Sequence, residues 1–412
     1  MWWSLNCFLM GLTGGLRNFS SQSFAKRQLP FTRAQSGRLP LPKLVDSNKI
    51  TPNRLDFKES CAALENRALR NIMLTLGFSA VLAAGEILKK GSDSVSGRTA
   101  ALTDFFAAAD KLIPSNPAEI SIENLRAPFL GVLNEYIFRD FAHDVAIQQD
   151  TACRGAWVWS REKAPDDVNQ DAVVVVVHGG GFISGDFYGY RTFCYHLSRI
   201  IGSPVLFPQY RLAPEHSIEE AVDDVVSSLA SAGGKAGKLG RRRVLLVCDS
   251  AGASLALLAM QRIASKRDRK GEDNAVDRVA MPCGAVLLSP IADISHENLV
   301  SGLTAERDLL LSRALLEFCC KTAAKEHCRK GLSPLYGSLW GLPPLLVLSS
   351  RNEILFQDAA RLCHQARASG VDVTEDFVDD LFHVYPLLYP FLPESVRAMS
   401  RMRRWMKTTL GK

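Results

Sequence analysis

Short apolar runs and helical patterns alternate along most of this chain. Val173–Val177 is an unbroken valine run, and Val205–Phe207, Arg243–Val247, Ala285–Leu288, Leu345–Leu348 and Val371–Phe377 repeat the theme at intervals. Continuous apolar, β-branched runs of this length read as strands covered on both faces, as in a parallel sheet. Between them lie stretches with helical spacing: Thr192–Ile200, Ile218–Ser231, Ser254–Lys266 and Asp358–Ala368. Asp144–Gln149 and Gly155–Ser160 predict an opening antiparallel pair. The alternation predicts an α/β fold, a mostly parallel doubly wound sheet of about eight strands with helices on both faces. Ligands then bind beyond the carboxyl ends of the strands.

Two of these strands run directly into small residues. Val173–Val177 leads into His178-Gly179-Gly180-Gly181-Phe182, and Val244–Val247 leads into Cys248-Asp249-Ser250-Ala251-Gly252-Ala253. The glycines let the backbone approach a ligand closely and expose its N–H groups. The second stretch predicts a strand, a tight turn and a helix, with Ser250 at the apex and the helix N-terminus aimed at the site. The N–H groups of Gly180, Gly181 and Ala251 are placed to converge on an oxyanion.

These stretches resemble the hormone-sensitive lipase family of α/β-hydrolases, which includes arylacetamide deacetylase-like enzymes. The resemblance is carried by His178-Gly179-Gly180-Gly181-Phe182, by Tyr210-Arg211-Leu212-Ala213-Pro214-Glu215-His216 and by Asp249-Ser250-Ala251-Gly252. Ser289-Pro290 followed by Asp293, and Leu342-Pro343-Pro344, fit the same pattern. It covers the chain from about Asp144 to the C-terminus and implies an α/β-hydrolase fold with a helical cap. It also implies a serine hydrolase acting on carboxylic esters through an acyl-enzyme, with no cofactor and no metal. In the family the chain order is nucleophile, acid, base. That order assigns Ser250 as nucleophile, Glu353 as acid and His383 as base. Glu353 lies just past Leu345–Leu348, where Asp is commoner, and His383 lies just past the last strand. Asp358, Asp379 and Asp380 are the rival acids, with Asp358 read as a helix N-terminal carboxylate. His296, His327 and His364 read as solvated or structural. The resemblance gives His178 the task of bracing the glycine loop, and Arg211, Glu215 and His216 that of fixing the next turn.

Cys248 stands where the family usually has glycine, and Ala253 occupies another small-residue position. Cysteine is small enough for the turn to survive. These departures leave open a second reading, a catalytically inactive hydrolase fold used for ligand binding or scaffolding. Ester and amide substrates also stay open on the same machinery.

The segments outside the sheet divide the chain further. Residues 144–412 form the expected catalytic domain, with a helical cap insertion around 296–332 that interrupts the alternation. Residues 46–143 predict a helical region contributing to the cap. Ile72–Leu88 within it is nearly uncharged but shorter than the ~20 residues of a membrane span, so it reads as a buried helix, with membrane contact as the rival. Residues 1–45 predict a targeting segment and linker. The chain carries +6 at neutral pH. Arg17, Lys26, Arg27, Arg33, Arg38 and Lys43 supply all of it, and no acidic residue precedes Asp46. The remainder is neutral, which argues against a nucleic-acid partner. An acid-free, Ser-bearing leader with Arg17-Asn18-Phe19-Ser20 reads as a mitochondrial transit peptide, with a secretory signal as the rival. Ten cysteines are scattered without C-x-x-C pairs or zinc spacing, which predicts buried free thiols.

Overall fold

The sequence folds, in the computed structural model, around one mixed sheet. The structure describes residues 122–126, 143–151, 153–161, 172–236, 240–267, 279–295, 308 and 310–411. The predicted leader, most of the 46–143 helical region with Ile72–Leu88, and His296 lie outside the described residues.

The eight strands of this sheet are β1 (Val145–Asp150), β2 (Gly155–Ser160), β3 (Ala172–Val177), β4 (Val205–Pro208), β5 (Arg243–Asp249), β6 (Gly284–Leu288), β7 (Leu345–Ser350) and β8 (Val373–Val378), and a separate short pair joins Lys235–Ala236 to Gly240–Arg241. Their spatial order is β1-β2-β4-β3-β5-β6-β7-β8. β1 and β2 pair antiparallel, β2 meets β4 antiparallel, and every pairing from β4 to β8 is parallel. The expected opening pair and doubly wound sheet are therefore present. The α-helices among the described residues are α1 (Ile122–Arg126), α2 (Phe187–Ile201), α3 (Ile218–Ala232), α4 (Ala251–Arg267), α5 (Arg313–Ala323), α6 (Glu326–Arg329), α7 (Phe356–Ala368) and α8 (Pro393–Thr409).

The valine run shows why the sheet is double-faced. Alternate side chains of a strand point to opposite faces. Val173, Val175 and Val177 pack with Leu246, Leu287 and residues of α3, α4 and α7. Val174 and Val176 pack with Leu245, Val247 and residues of α2 and α8. All five valines are buried. Helices begin where caps allow. Asp186 accepts from the Gly189 N–H and starts α2 five residues before the apolar periodicity becomes clear at Thr192. Ser217 and Glu220 form a capping box at α3, a feature whose loss typically costs about 1 kcal/mol.

Arg211 fixes the turn between β4 and α3, as expected. Its guanidinium donates to Asp224 and Glu220, at 2.8 Å and 2.6 Å. His216 lies 3.3 Å from Glu220. Glu215 instead faces α1, where Arg126 holds it in a two-pronged pair at 2.8 Å and 2.7 Å. The same guanidinium donates to the carbonyls of Ile183 and Ala213. Within the predicted 296–332 insertion, α5 and α6 are helical as expected. Cys319 of α5 packs with Ile183, Ala213 and Leu125, so this helix lies against the glycine loop. Among the described residues, no helix is long and apolar enough to cross a membrane.

Candidate active site

Ser250 follows the last residue of β5, and α4 begins at the next residue. Its φ of 50° is left-handed, a conformation that disfavours most side chains. The surroundings hold it there. The Ser250 N–H donates to the Leu288 carbonyl at 2.9 Å, and the Ser250 carbonyl accepts from Ala253 and Ile291. Gly252 is demanded by space: a Cβ there would sit 2.1 Å from the Val177 carbonyl oxygen and 2.4 Å from that of His178. Cys248 makes no such demand. Its side chain is fully buried in the core, burial pushes its thiol well up, and the turn forms with cysteine in place.

Next to the nucleophile turn, Gly180, Gly181 and Phe182 are all left-handed, at φ 110°, 63° and 68°. Gly181 also meets α5, since a Cβ at this position would lie 2.5 Å from the Cys319 Sγ. His178 braces the loop from below. Its ring stacks on Tyr210, with centroids 4.1 Å apart, and on Phe207 at 5.1 Å. Its Nδ1 lies 2.7 Å from the Gly179 carbonyl, which can only accept, so the proton sits on Nδ1. Burial lowers this imidazole to about 4, so it is neutral. Asp249 ties the two turns together by accepting from the Gly179 N–H at 3.0 Å and the Tyr190 hydroxyl at 2.9 Å. Burial raises its carboxyl to about 6 against those hydrogen bonds. The N–H groups of Gly180, Gly181 and Ala251 have no acceptor among the described residues.

The structure brings His383 and Glu353 to Ser250. His383 lies past β8, and its Nε2 is 3.0 Å from the Ser250 Oγ. Glu353 lies past β7, fully buried, with Oε2 3.6 Å from His383 Nδ1. At that separation no hydrogen bond is formed, and the pair attract as charges once the imidazole is protonated. Such contacts are often long before substrate binds. The carboxylate is held by two hydroxyls: Ser289 donates to Oε2 at 2.7 Å, and Ser349 donates to Oε1. A second buried carboxylate, Asp308, stands nearby and accepts from the N–H groups of Leu310, Leu311 and Ile354. Burial alone would lower the His383 imidazole. Glu353, with Asp308 and Asp249 behind it, outweighs burial and holds it above its ordinary value of 6.5.

A family model described as the alpha/beta hydrolase fold matches residues 174–387, more than half of the chain. This chain belongs to the α/β-hydrolase family. It is 32% identical over 243 residues to an acetyl-hydrolase of Streptomyces hygroscopicus, covering 58% of this chain and 76% of that protein. It is 28% identical over 230 residues to an esterase of Acinetobacter venetianus, covering 54% and 71%. A crystal structure of an esterase from the bacterial hormone-sensitive lipase family matches with a TM-score of 0.62 at 25% identity, over 75% of this chain and 97% of that one. These likenesses make it an α/β-hydrolase of the hormone-sensitive-lipase-like kind.

The rival residues of the hydrolase are placed elsewhere. His327 and His364 are exposed, as are Asp379 and Asp380. Asp358 does sit in the first turn of α7, and it also accepts from the N–H groups of Ala292 and Asp293, at 2.8 Å each. Sequence reasoning missed Asp308, Ser289, Ser349 and Tyr190. Only Ser289 carried a signal, as part of the Ser289-Pro290 pattern. Asp308, Glu353 and His383 offer ligand atoms within 4.8 Å of one another, a spacing that a metal would accept. Most of their atoms are already engaged: His383 Nε2 by Ser250, Glu353 by two hydroxyls and Asp308 by three backbone N–H groups, while His383 Nδ1 has no hydrogen-bond partner among the described residues.

Proposed function

We propose that this chain is a carboxylic ester hydrolase that works through an acyl-enzyme, with Ser250 as nucleophile, His383 as general base and Glu353 as the acid that orients it. The observation that carries the reading is the 3.0 Å contact between Ser250 Oγ and His383 Nε2, beside three unengaged backbone N–H groups. Serine is a poor nucleophile at neutral pH and needs a base within hydrogen-bond reach. Nε2 accepts the hydroxyl proton as Oγ bonds to the acyl carbon. The carbonyl oxygen, now anionic, is stabilised by the N–H groups of Gly180, Gly181 and Ala251; one such donor is typically worth about 3–4 kcal/mol. Collapse of the tetrahedral adduct breaks the bond to the alkoxy oxygen, which leaves as the alcohol with the proton from Nε2. Water then repeats the sequence on the acyl-enzyme and releases the acid. The name of one relative, an acetyl-hydrolase, supports a small acyl group, and that of the other, an esterase, supports an ester substrate.

The test uses the protein from Asp46 onward and a fluorophosphonate probe, with the adduct located by mass spectrometry. Labelling is expected on Ser250 and absent from the Ser250→Ala protein. A folded sample that takes no label would sink the enzyme reading and turn attention to the ligand-binding one.

The charges around His383 set the pH dependence. The base works only when neutral, so a raised imidazole pKa means that activity is lost at a higher pH on acidification. The acidic limb of kcat/KM is expected above 6.5 on a p-nitrophenyl ester. Asp308→Asn removes a facing negative charge and is expected to move that limb down. A limb at or below the ordinary imidazole value in the parent protein would contradict the electrostatic account.

A further inference from the structure

Ser289 ends the loop side of β6 in a left-handed conformation, φ 47°, and is buried. Its N–H donates to the Leu348 carbonyl of β7 at 2.7 Å. Its hydroxyl does two things at once. It donates to Glu353 Oε2 at 2.7 Å, and it accepts from the Val384 N–H at 3.0 Å. Oε2 is the oxygen that faces His383 Nδ1, and Val384 is the residue after His383. Val384 is itself left-handed, at φ 51°. One oxygen atom therefore joins the side chain of the acid to the backbone of the base.

We infer that Ser289 is a positioning residue, whose hydroxyl sets the register between Glu353 and His383. The inference rests on the proposed roles of those two residues. The residue type is informative in itself. A left-handed turn is easiest for glycine, and a serine there is strained. The hydroxyl is what a glycine lacks, and here that hydroxyl is fully used as donor and as acceptor. The Val384 N–H has no other acceptor among the described residues. Without Ser289 the loop carrying the base loses its tie to the acid, and Oε2 loses the donor that fixes its direction. The rotation of Glu353 then rests on Ser349 alone.

The test compares Ser289→Gly and Ser289→Ala in steady-state hydrolysis of a p-nitrophenyl ester, with thermal melts of each. Glycine relaxes the backbone and alanine does not, while both remove the hydroxyl. Both are expected to lower kcat by about 10–100-fold, the scale of a small misplacement of catalytic groups, with KM within about threefold of the parent. The glycine variant is expected to melt no lower than the alanine variant. A purely conformational role predicts the opposite for kcat: Ser289→Gly would match the parent, and the inference would fall. It would fall too if neither variant folds, since Ser289 would then be structural. Glu353→Gln in the same assay separates the two levels. If it is impaired while Ser289→Gly is not, only the Ser289 inference is lost. If Glu353→Gln keeps the parental kcat, the assignment of the acid is itself overturned.

Discussion

Ser250→Ala is expected to lower kcat on p-nitrophenyl esters by about 10⁶-fold, and Glu353→Gln by about 10⁴-fold, the scales set by removing a nucleophile and by forcing the wrong imidazole tautomer. Alanine at 250 loses one oxygen and leaves the backbone hydrogen bonds of the turn untouched, so the protein stays folded. The backbone N–H groups of Gly180, Gly181 and Ala251 remain and support a residual rate. The case of Glu353 turns on lone pairs. Its two oxygens accept from Ser289 and Ser349, and the face toward His383 is left to charge. An amide has one acceptor oxygen, so its NH₂ must meet a serine hydroxyl or His383 Nδ1. If it meets Nδ1, that atom must accept, the proton moves to Nε2, and the base can no longer take the proton of Ser250. If it meets Ser289, the hydroxyl that receives the Val384 N–H must turn away from the acid. Both routes disarm the base; only an amide that turns its NH₂ toward Ser349, forcing that hydroxyl to accept instead of donate, keeps an acceptor oxygen toward His383. Steady-state kinetics decide: a loss of less than about tenfold for either variant would remove that residue from the proposed chemistry.

Gly252→Ala is expected to damage both stability and catalysis. The new methyl would lie 2.1 Å and 2.4 Å from the carbonyl oxygens of Val177 and His178, which belong to the end of β3 and to the start of the glycine loop. These are backbone atoms and cannot swing aside as a side-chain tip would. Alanine favours a helix over glycine by about 1 kcal/mol, which works in the variant's favour. Overpacking against fixed atoms typically costs about 1–3 kcal/mol and occasionally more, and this site lies at the severe end. We expect a melting temperature lower by roughly 5 °C or more. Relief by displacement must push the glycine loop, and a shift of about 1 Å can lower the rate by about 10²-fold. A variant that melts and turns over like the parent would show that β3 and α4 can separate freely.

Much of this arrangement is legible in the amino-acid sequence alone. The valine run and its counterparts marked strands because a doubly covered strand needs apolar residues on both sides. Ser250, Glu353 and His383 stand out because each lies within five residues of a strand end, in the chain order of the family resembled. Other features left little trace. α2 begins at Phe187 because Asp186 caps it, although Tyr188 and Gly189 blur the helical pattern. α4 begins at Ala251, ahead of the Ser254 start that periodicity suggested, because small residues there serve close approach and show no amphipathic signal. Asp308 lies inside the 296–332 stretch read as helical cap, away from any strand end, so nothing in the sequence aims it at His383. Ser289 and Ser349 work through hydroxyls at strand ends; Ser289 is visible only as part of the Ser289-Pro290 pattern, and Ser349 carries no distinctive pattern. The left-handed turn at Ser289 carries no glycine to announce it.

The guanidinium of Arg126 draws the outline of the smallest fragment worth making. It grips the Ile183 carbonyl beside the glycine loop, the Ala213 carbonyl in the next motif and the carboxylate of Glu215. All three belong to the stretch matched by the family model, while Arg126 lies well before it. A polypeptide trimmed to that stretch would keep Ser250, Glu353 and His383 and lose the clasp. Protease cleavage between Arg126 and Asp144 would not at once have that effect, because the clasp is noncovalent and the severed piece can stay docked. Such a nicked protein would keep working until dilution or denaturant released the piece, so activity lost on dilution would report how tightly the clasp holds.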